Sequence, residues 1–270
     1  MTKSPRRRPA AIIAAATLLA ATALLAGCSG GSGSSSSDGP ASGRIVALLV
    51  DQTCDASPAL TTLAGEAFDA AVDAASADQG TLLGEAITTD EYQTGTFGVS
   101  HSFTSDKAND AGVQRDLARQ ARDFRESPEA TSLTKGYEKG TPCGSDLINA
   151  VSAADRAFKD EPGQKNRARD LVFVTNGIVV DEDAGLNFKE DDITSAYTKK
   201  LIARQKAKDL FPDLSGVTVH LVGLGVSDQN LSAAKVRQIE SFWESLATEA
   251  GASDVVTVRD AGQLAIGGEQ

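Results

Sequence analysis

The sequence has little cysteine and little histidine, and both shortages narrow its chemistry. Three cysteines and two histidines occur in 270 residues, without the paired spacing of a zinc module. His101 and His220 each fall in a strand-like run. No Gly-x-Ser-x-Gly elbow on a strand-to-helix turn and no phosphate loop accompanies them, so both read as structural. Basic charge is also in deficit. Twenty-six Lys and Arg face 37 Asp and Glu, a formal charge of −11, which argues against nucleic acid as a partner. Long apolar runs are missing too, with one exception at the N-terminus.

That exception has the form of an export signal. Lys3, Arg6, Arg7 and Arg8 precede an uncharged run from Ala10 to Leu25, too short and too rich in alanine for a comfortable membrane span. It ends in Leu25-Ala26-Gly27-Cys28. This resembles the lipobox of bacterial lipoproteins: an aliphatic residue, two small ones, then the cysteine that receives diacylglycerol. The resemblance implies a signal peptide over 1–27, cleavage before Cys28, and a chain held by lipid on the outer face of a bacterial membrane. Residues 29–43, SGGSGSSSSDGPASG, have almost nothing to bury. With Cys28 they read as a lipidated tether over 28–43 that lets a folded domain, 44–270, stand off the bilayer. Two acyl chains on one cysteine give the two-signal anchoring that a single chain lacks.

Removing residues 1–27 takes away four basic and no acidic residues, leaving 22 basic against 37 acidic and a formal charge of −15. Such a surface suits cations or basic protein faces. About 225 residues follow the tether, enough for one well-filled α/β domain. With Cys28 assigned to lipid, Cys54 and Cys143 remain. In an oxidising compartment they most simply form a disulfide.

The chain then alternates strand and helix. RIVALLV at 44–50 is a buried strand ending at Asp51, and Ser57-Pro58 opens a helix that runs to about Ala75. Strand-like runs at 81–88 and 96–104 are too close for a crossover helix, so they pair antiparallel. Helices follow around 113–124 and 147–158, then a strand at 171–175 (LVFVT), a helix at 197–210 and a strand at 217–224. A helix around 236–247 and an edge strand at 254–258 complete the pattern. The expected fold is a three-layer α/β sandwich: a doubly wound, mostly parallel sheet with one antiparallel strand near an edge.

In such sheets, sites lie beyond the carboxyl ends of the strands at the switch point. The loops there carry Asp51-Gln52-Thr53-Cys54-Asp55, Gly140-Thr141-Pro142-Cys143-Gly144 and Thr175-Asn176-Gly177. In these loops, and in the Val-Gly-Leu-Gly end of the strand at 217–224, the chain resembles the von Willebrand factor type A family over roughly 44–262. That family holds a divalent ion with Asp-x-Ser-x-Ser in one loop, a Thr in the second and an Asp in a third. Carried over, Asp51 matches the first Asp and Thr141 the loop-two Thr. Thr53 replaces a Ser and keeps a hydroxyl, Asp55 stands where the second Ser belongs, and Asn176 replaces the loop-three Asp. The resemblance thus implies either an altered site for Mg²⁺ or another divalent cation, or a vestigial one that keeps only the fold. It also places loops one and two side by side, making Cys54–Cys143 a specific disulfide that closes a loop of ~90 residues, worth up to ~4–5 kcal/mol in the chain-entropy model.

Other signals carry less. Gly223-Leu224-Gly225 lacks the third glycine of a dinucleotide fingerprint and reads as a strand-exit turn, and the acidic stretch 181–192 fails the EF-hand pattern because Gly185 sits at position five. Lys199, Lys200, Arg204, Lys206 and Lys208 load one helix with positive charge, either as a solvated face or as a docking face for an acidic partner. The expectation is a surface-displayed, non-enzymatic domain that binds an extracytoplasmic protein or scaffolds a complex. The alternative is the solute-binding lipoprotein of a transporter, which usually has two lobes.

Overall fold

The computed structural model of the protein describes residues 43–53, 56–88, 97–136, 146–181, 185–227 and 231–267. All of them belong to one compact unit, Asp38–Gln270. The signal peptide at 1–27, Cys28 and the tether up to Ser42, Cys54, Asp55, Thr141 and Cys143 lie outside the described residues.

The elements in chain order are β1 (Ile45–Asp51), α1 (Pro58–Ala77), β2 (Thr81–Ile87), β3 (Val99–Ser102), α2 (Asp110–Arg125), α3 (Pro128–Thr134) and α4 (Leu147–Asp160). Then come β4 (Arg169–Val174), β5 (Val180–Asp181), β6 (Leu186–Asn187), α5 (Ser195–Ala207), β7 (Val217–Val222), α6 (Ala233–Glu249) and β8 (Asp254–Val258). Six strands form one sheet in the order β3-β2-β1-β4-β7-β8. β1 pairs in parallel with β2 and β4, β4 with β7, and β7 with β8, whereas β3 is the antiparallel edge.

β1 shows why this sheet is central. Every residue of it is buried, as a strand covered on both faces requires. Ile45, Ala47 and Leu49 pack with α4, α5 and α6, while Val46, Leu48 and Val50 pack with α1, α2 and α3. The two-residue period of the strand thus divides the core into two clusters, an arrangement compatible with a three-layer α/β sandwich. Each helix starts at a Ser, Thr, Asn or Asp whose side chain accepts an N–H of the first turn: Ser57, Asn109, Ser127, Asp146, Thr194 and Ser232. Such caps contribute ~1 kcal/mol each.

Three elements go beyond the sequence expectation. α3 is a seven-residue helix whose Ser127-Pro128 start repeats the Ser57-Pro58 start of α1. β5 and β6 form a small antiparallel hairpin after β4. The basic helix also ends earlier than expected, at Ala207, where Asp209 takes a positive φ of 58°. Among the described residues no helix is long and apolar enough to cross a membrane.

Candidate functional site

The carboxyl ends of β1 and β4 meet where the chain order reverses, since β1 leads to β2 on one side and neighbours β4 on the other. Asp51 is the last residue of β1 and is 2% exposed. Its Oδ1 accepts from the Thr53 hydroxyl at 2.7 Å and from the Thr53 N–H at 3.0 Å. Its Oδ2 accepts from the Thr175 hydroxyl at 2.8 Å, across the gap between the two strands. The Thr175 oxygen in turn accepts from the Gly177 N–H at 2.9 Å. A chain of polarised bonds therefore runs from the backbone after β4 to the carboxylate after β1.

Asn176 is fully buried. Its Oδ1 accepts from the Ile178 N–H at 2.8 Å, closing an Asx turn, and its carbonyl accepts from Gly225 N–H at 2.9 Å. Gly177 holds the turn in the left-handed region, with φ at 76°. A Cβ there would stand 2.6 Å from Ile239 and 2.9 Å from the Trp243 indole nitrogen, and that nitrogen donates to the Gly177 carbonyl at 3.0 Å. Loop three is thus fixed from three sides.

Loop one is fixed from below. Gln52 is 2% exposed and donates through Nε2 to the carbonyls of Ser132 and Leu133, at 2.9 and 3.1 Å. This ties the exit of β1 to the end of α3, the segment leading toward Thr141. Ala56 N–H returns to the Thr53 carbonyl at 2.9 Å.

Asp51, Thr53 and Asn176 are the described members of the ligand set implied by the resemblance. They sit at one end of the sheet, but these three do not by themselves make a divalent-cation site. A hard cation asks for several oxygens aimed at one point, usually with one or two carboxylates. Here the Asn176 amide oxygen is turned into its own buried turn. The Asp51 carboxylate keeps lone pairs beyond those its hydroxyl donors use, and Thr53, its proton given to Asp51, keeps those of its oxygen, so of the three only these two have oxygens left to offer a cation. Among the described residues no three His, Cys, Asp or Glu side chains gather as a metal cluster. Thr175, which sequence reasoning placed in the loop without a role, is the residue that bridges β4 to Asp51.

The other signals resolve more simply. Gly223 and Gly225 take φ of 85° and 76° in a tight turn after β7. In the acidic stretch, Asp191 accepts from the Tyr197 hydroxyl at 2.9 Å and Asn187 N–H at 3.0 Å, and Asp192 accepts from Gln238 at 2.6 Å. Burial, with Asp191 beside it, pushes the Tyr197 hydroxyl up to about 12. These carboxylates lock the hairpin to α5 and α6. His101 stacks on Phe124 at 4.5 Å, and burial lowers its pKa against the opposing pull of Glu129. His220 is 2% exposed and meets Asp170 at 3.0 Å through Nε2, and its buried Nδ1 has no hydrogen-bond partner among the described residues.

No protein-family model and no curated protein sequence matches the chain.

Proposed function

We propose that the chain is a lipid-anchored, extracytoplasmic interaction domain of a bacterium, von Willebrand factor type A-like in fold, whose metal position has become a hydrogen-bonded node. The observation that carries this reading is the Thr175–Asp51 bond, 2.8 Å long, which closes the switch point where such sheets otherwise take a ligand. The node fixes the loops above the sheet in shape, and those loops are the surface offered to a protein partner. The strand order with an antiparallel edge at β3 supports the family reading. A single six-stranded sheet among the described residues favours an interaction domain over a two-lobed solute binder.

The anchor is tested by growing the host with an alkyne-tagged palmitate and comparing wild type with Cys28→Ser. The wild type incorporates the tag and sediments with membranes, and the variant does neither. Equal labelling or equal membrane retention of Cys28→Ser sinks the lipoprotein reading.

A further inference from the structure

α5 and α6 lie side by side on the same face of the sheet, pinned at both ends and parted between. At their N-terminal ends Gln238 donates to Asp192 at 2.6 Å and accepts from the Ile193 N–H at 3.3 Å, and Lys235 donates to the Asp191 carbonyl. At their C-terminal ends Lys206 pairs with Glu249 at 3.1 Å. The two helices therefore run in the same direction. Between the pins the facing side chains are short, Thr198, Ser241, Ser245 and Thr248, and they leave an open trough of about 660 Å³.

The two walls of the trough differ in sign. α5 carries Lys199, Lys200, Arg204 and Lys206 and no acidic residue. α6, from Glu240 onward, carries Glu240, Glu244 and Glu249 and no basic residue. Lys199, Lys206, Glu244 and Glu249 line the trough and are exposed. Lys199 and Lys200 have no ion-pair partner among the described residues. In a domain of strongly negative formal charge, this basic helix is a local exception.

We infer that the α5–α6 face pairs with the same face of a second copy of this chain, α5 of each copy lying over α6 of the other. Symmetric contacts between identical chains use one patch twice about a two-fold axis. An axis running across the helices would set lysines over lysines. An axis running along the trough sets the basic α5 over the acidic α6 at both contacts. The aliphatic stems of Lys199 and Lys206 then lie in the partner's trough; the Lys199 ammonium reaches the partner's Glu244, while Lys206, already paired with Glu249 of its own chain, is shared with the partner's Glu249. This second arrangement leaves both copies facing the same way, so both chains enter β1 from the same side. That orientation suits two copies tethered to one bilayer, a point that rests on the anchor proposed above; the pairing itself does not. With helices of 13 and 17 residues, roughly 20 and 25 Å long, the patch is small for a stable dimer. The pairing is therefore weak in solution and strengthened where tethering raises the local concentration.

Charge swapping tests the arrangement in the compact unit Asp38–Gln270, followed by sedimentation at physiological ionic strength. Wild type self-associates with rising concentration. The α5 variant Lys199→Glu/Lys206→Glu and the α6 variant Glu244→Lys/Glu249→Lys each lose self-association by at least ~10-fold, with circular dichroism unchanged. Mixing the two variants restores association, because each then meets the opposite sign at both contacts. A wild type that stays monomeric at ~1 mM, or variants that associate no better mixed than alone, overturns the proposal. A variant that loses its circular dichroism is replaced by Lys199→Glu or Glu244→Lys alone, with the same mixing criterion.

Discussion

The two ends of β1 are buried in different ways. At the carboxyl end, Asp51 accepts from the small neutral donors Thr53 and Thr175. At the amino end, Arg44 sits between carboxylates, donating through Nε to Asp78 at 2.9 Å and through its other arm to Asp170. Asp170, 3% exposed, also holds His220. Arg167 completes that end, donating to the carbonyls of Gly43 and Arg44 and to the Thr81 hydroxyl. Burial lowers its pKa, against the pull of Glu161.

The contrast separates two solutions to one problem. A buried charge must be compensated. The lower end uses opposite charges, which fixes partners strongly and leaves a large penalty if one is removed. The upper end spreads the carboxylate's demand over two hydroxyls and an amide, each belonging to a loop. Hydroxyl donors are individually modest, ~1 kcal/mol, but each fixes the path of the backbone that bears it. The lower end therefore holds its strands by ion pairs, and the upper end holds its loops by the backbone those donors belong to.

The largest expected effect lies at the lower end. Asp170→Ala leaves His220 without its carboxylate inside the fold and Arg44 with Asp78 as its one remaining carboxylate, and should cost ~3–5 kcal/mol in urea unfolding. A loss below ~1 kcal/mol would remove the distinction between the two ends. Thr175→Val comes next. It deletes the donor to Asp51 and the acceptor for Gly177 N–H while keeping the shape, so a cost of ~1–3 kcal/mol is expected. Hydrogen exchange should rise in loop three, while the amino end of β1 stays protected. Uniform loosening of the whole sheet would show that the node is not local.

The smallest effect concerns Glu85 on β2, which accepts from the Gly98 N–H. Burial holds its carboxyl above the usual range, and that bond opposes the shift. With the folded pKa raised, folding favours the protonated form. This advantage is present at low pH and is lost as pH rises through the folded value. Glu85→Gln should thus stabilise slightly at about pH 7 and be neutral at about pH 3. The reverse pattern would mean that the ionised carboxylate is welcome there.

Much of the fold was legible because its signals are local. The run at 44–50, the Ser57-Pro58 start of α1 and the short spacing of β2 and β3 each lie within one stretch of chain. α3 was missed although Ser127-Pro128 announced it, because seven residues are too few for a period of 3.6 to show. Two-residue strands such as β5 and β6 carry no period at all. The site divides the same way. Asp51 and Thr53 stand two residues apart, so their bond belongs to a motif that can be read. Thr175 reaches Asp51 from 124 residues away, and Asp170 meets Arg44 across 126 and His220 across 50. Only the register of β1, β4 and β7 brings them together.

The comparison turns on whether the upper end is closed by its own hydroxyls or waits for a cation. Calorimetric titration of the oxidised protein with Mg²⁺, Mn²⁺ and Ca²⁺, alongside Asp51→Ala, tests this directly. A hydrogen-bonded node predicts no saturable heat from wild type with any of the three ions. A one-to-one isotherm that disappears in Asp51→Ala would contradict it.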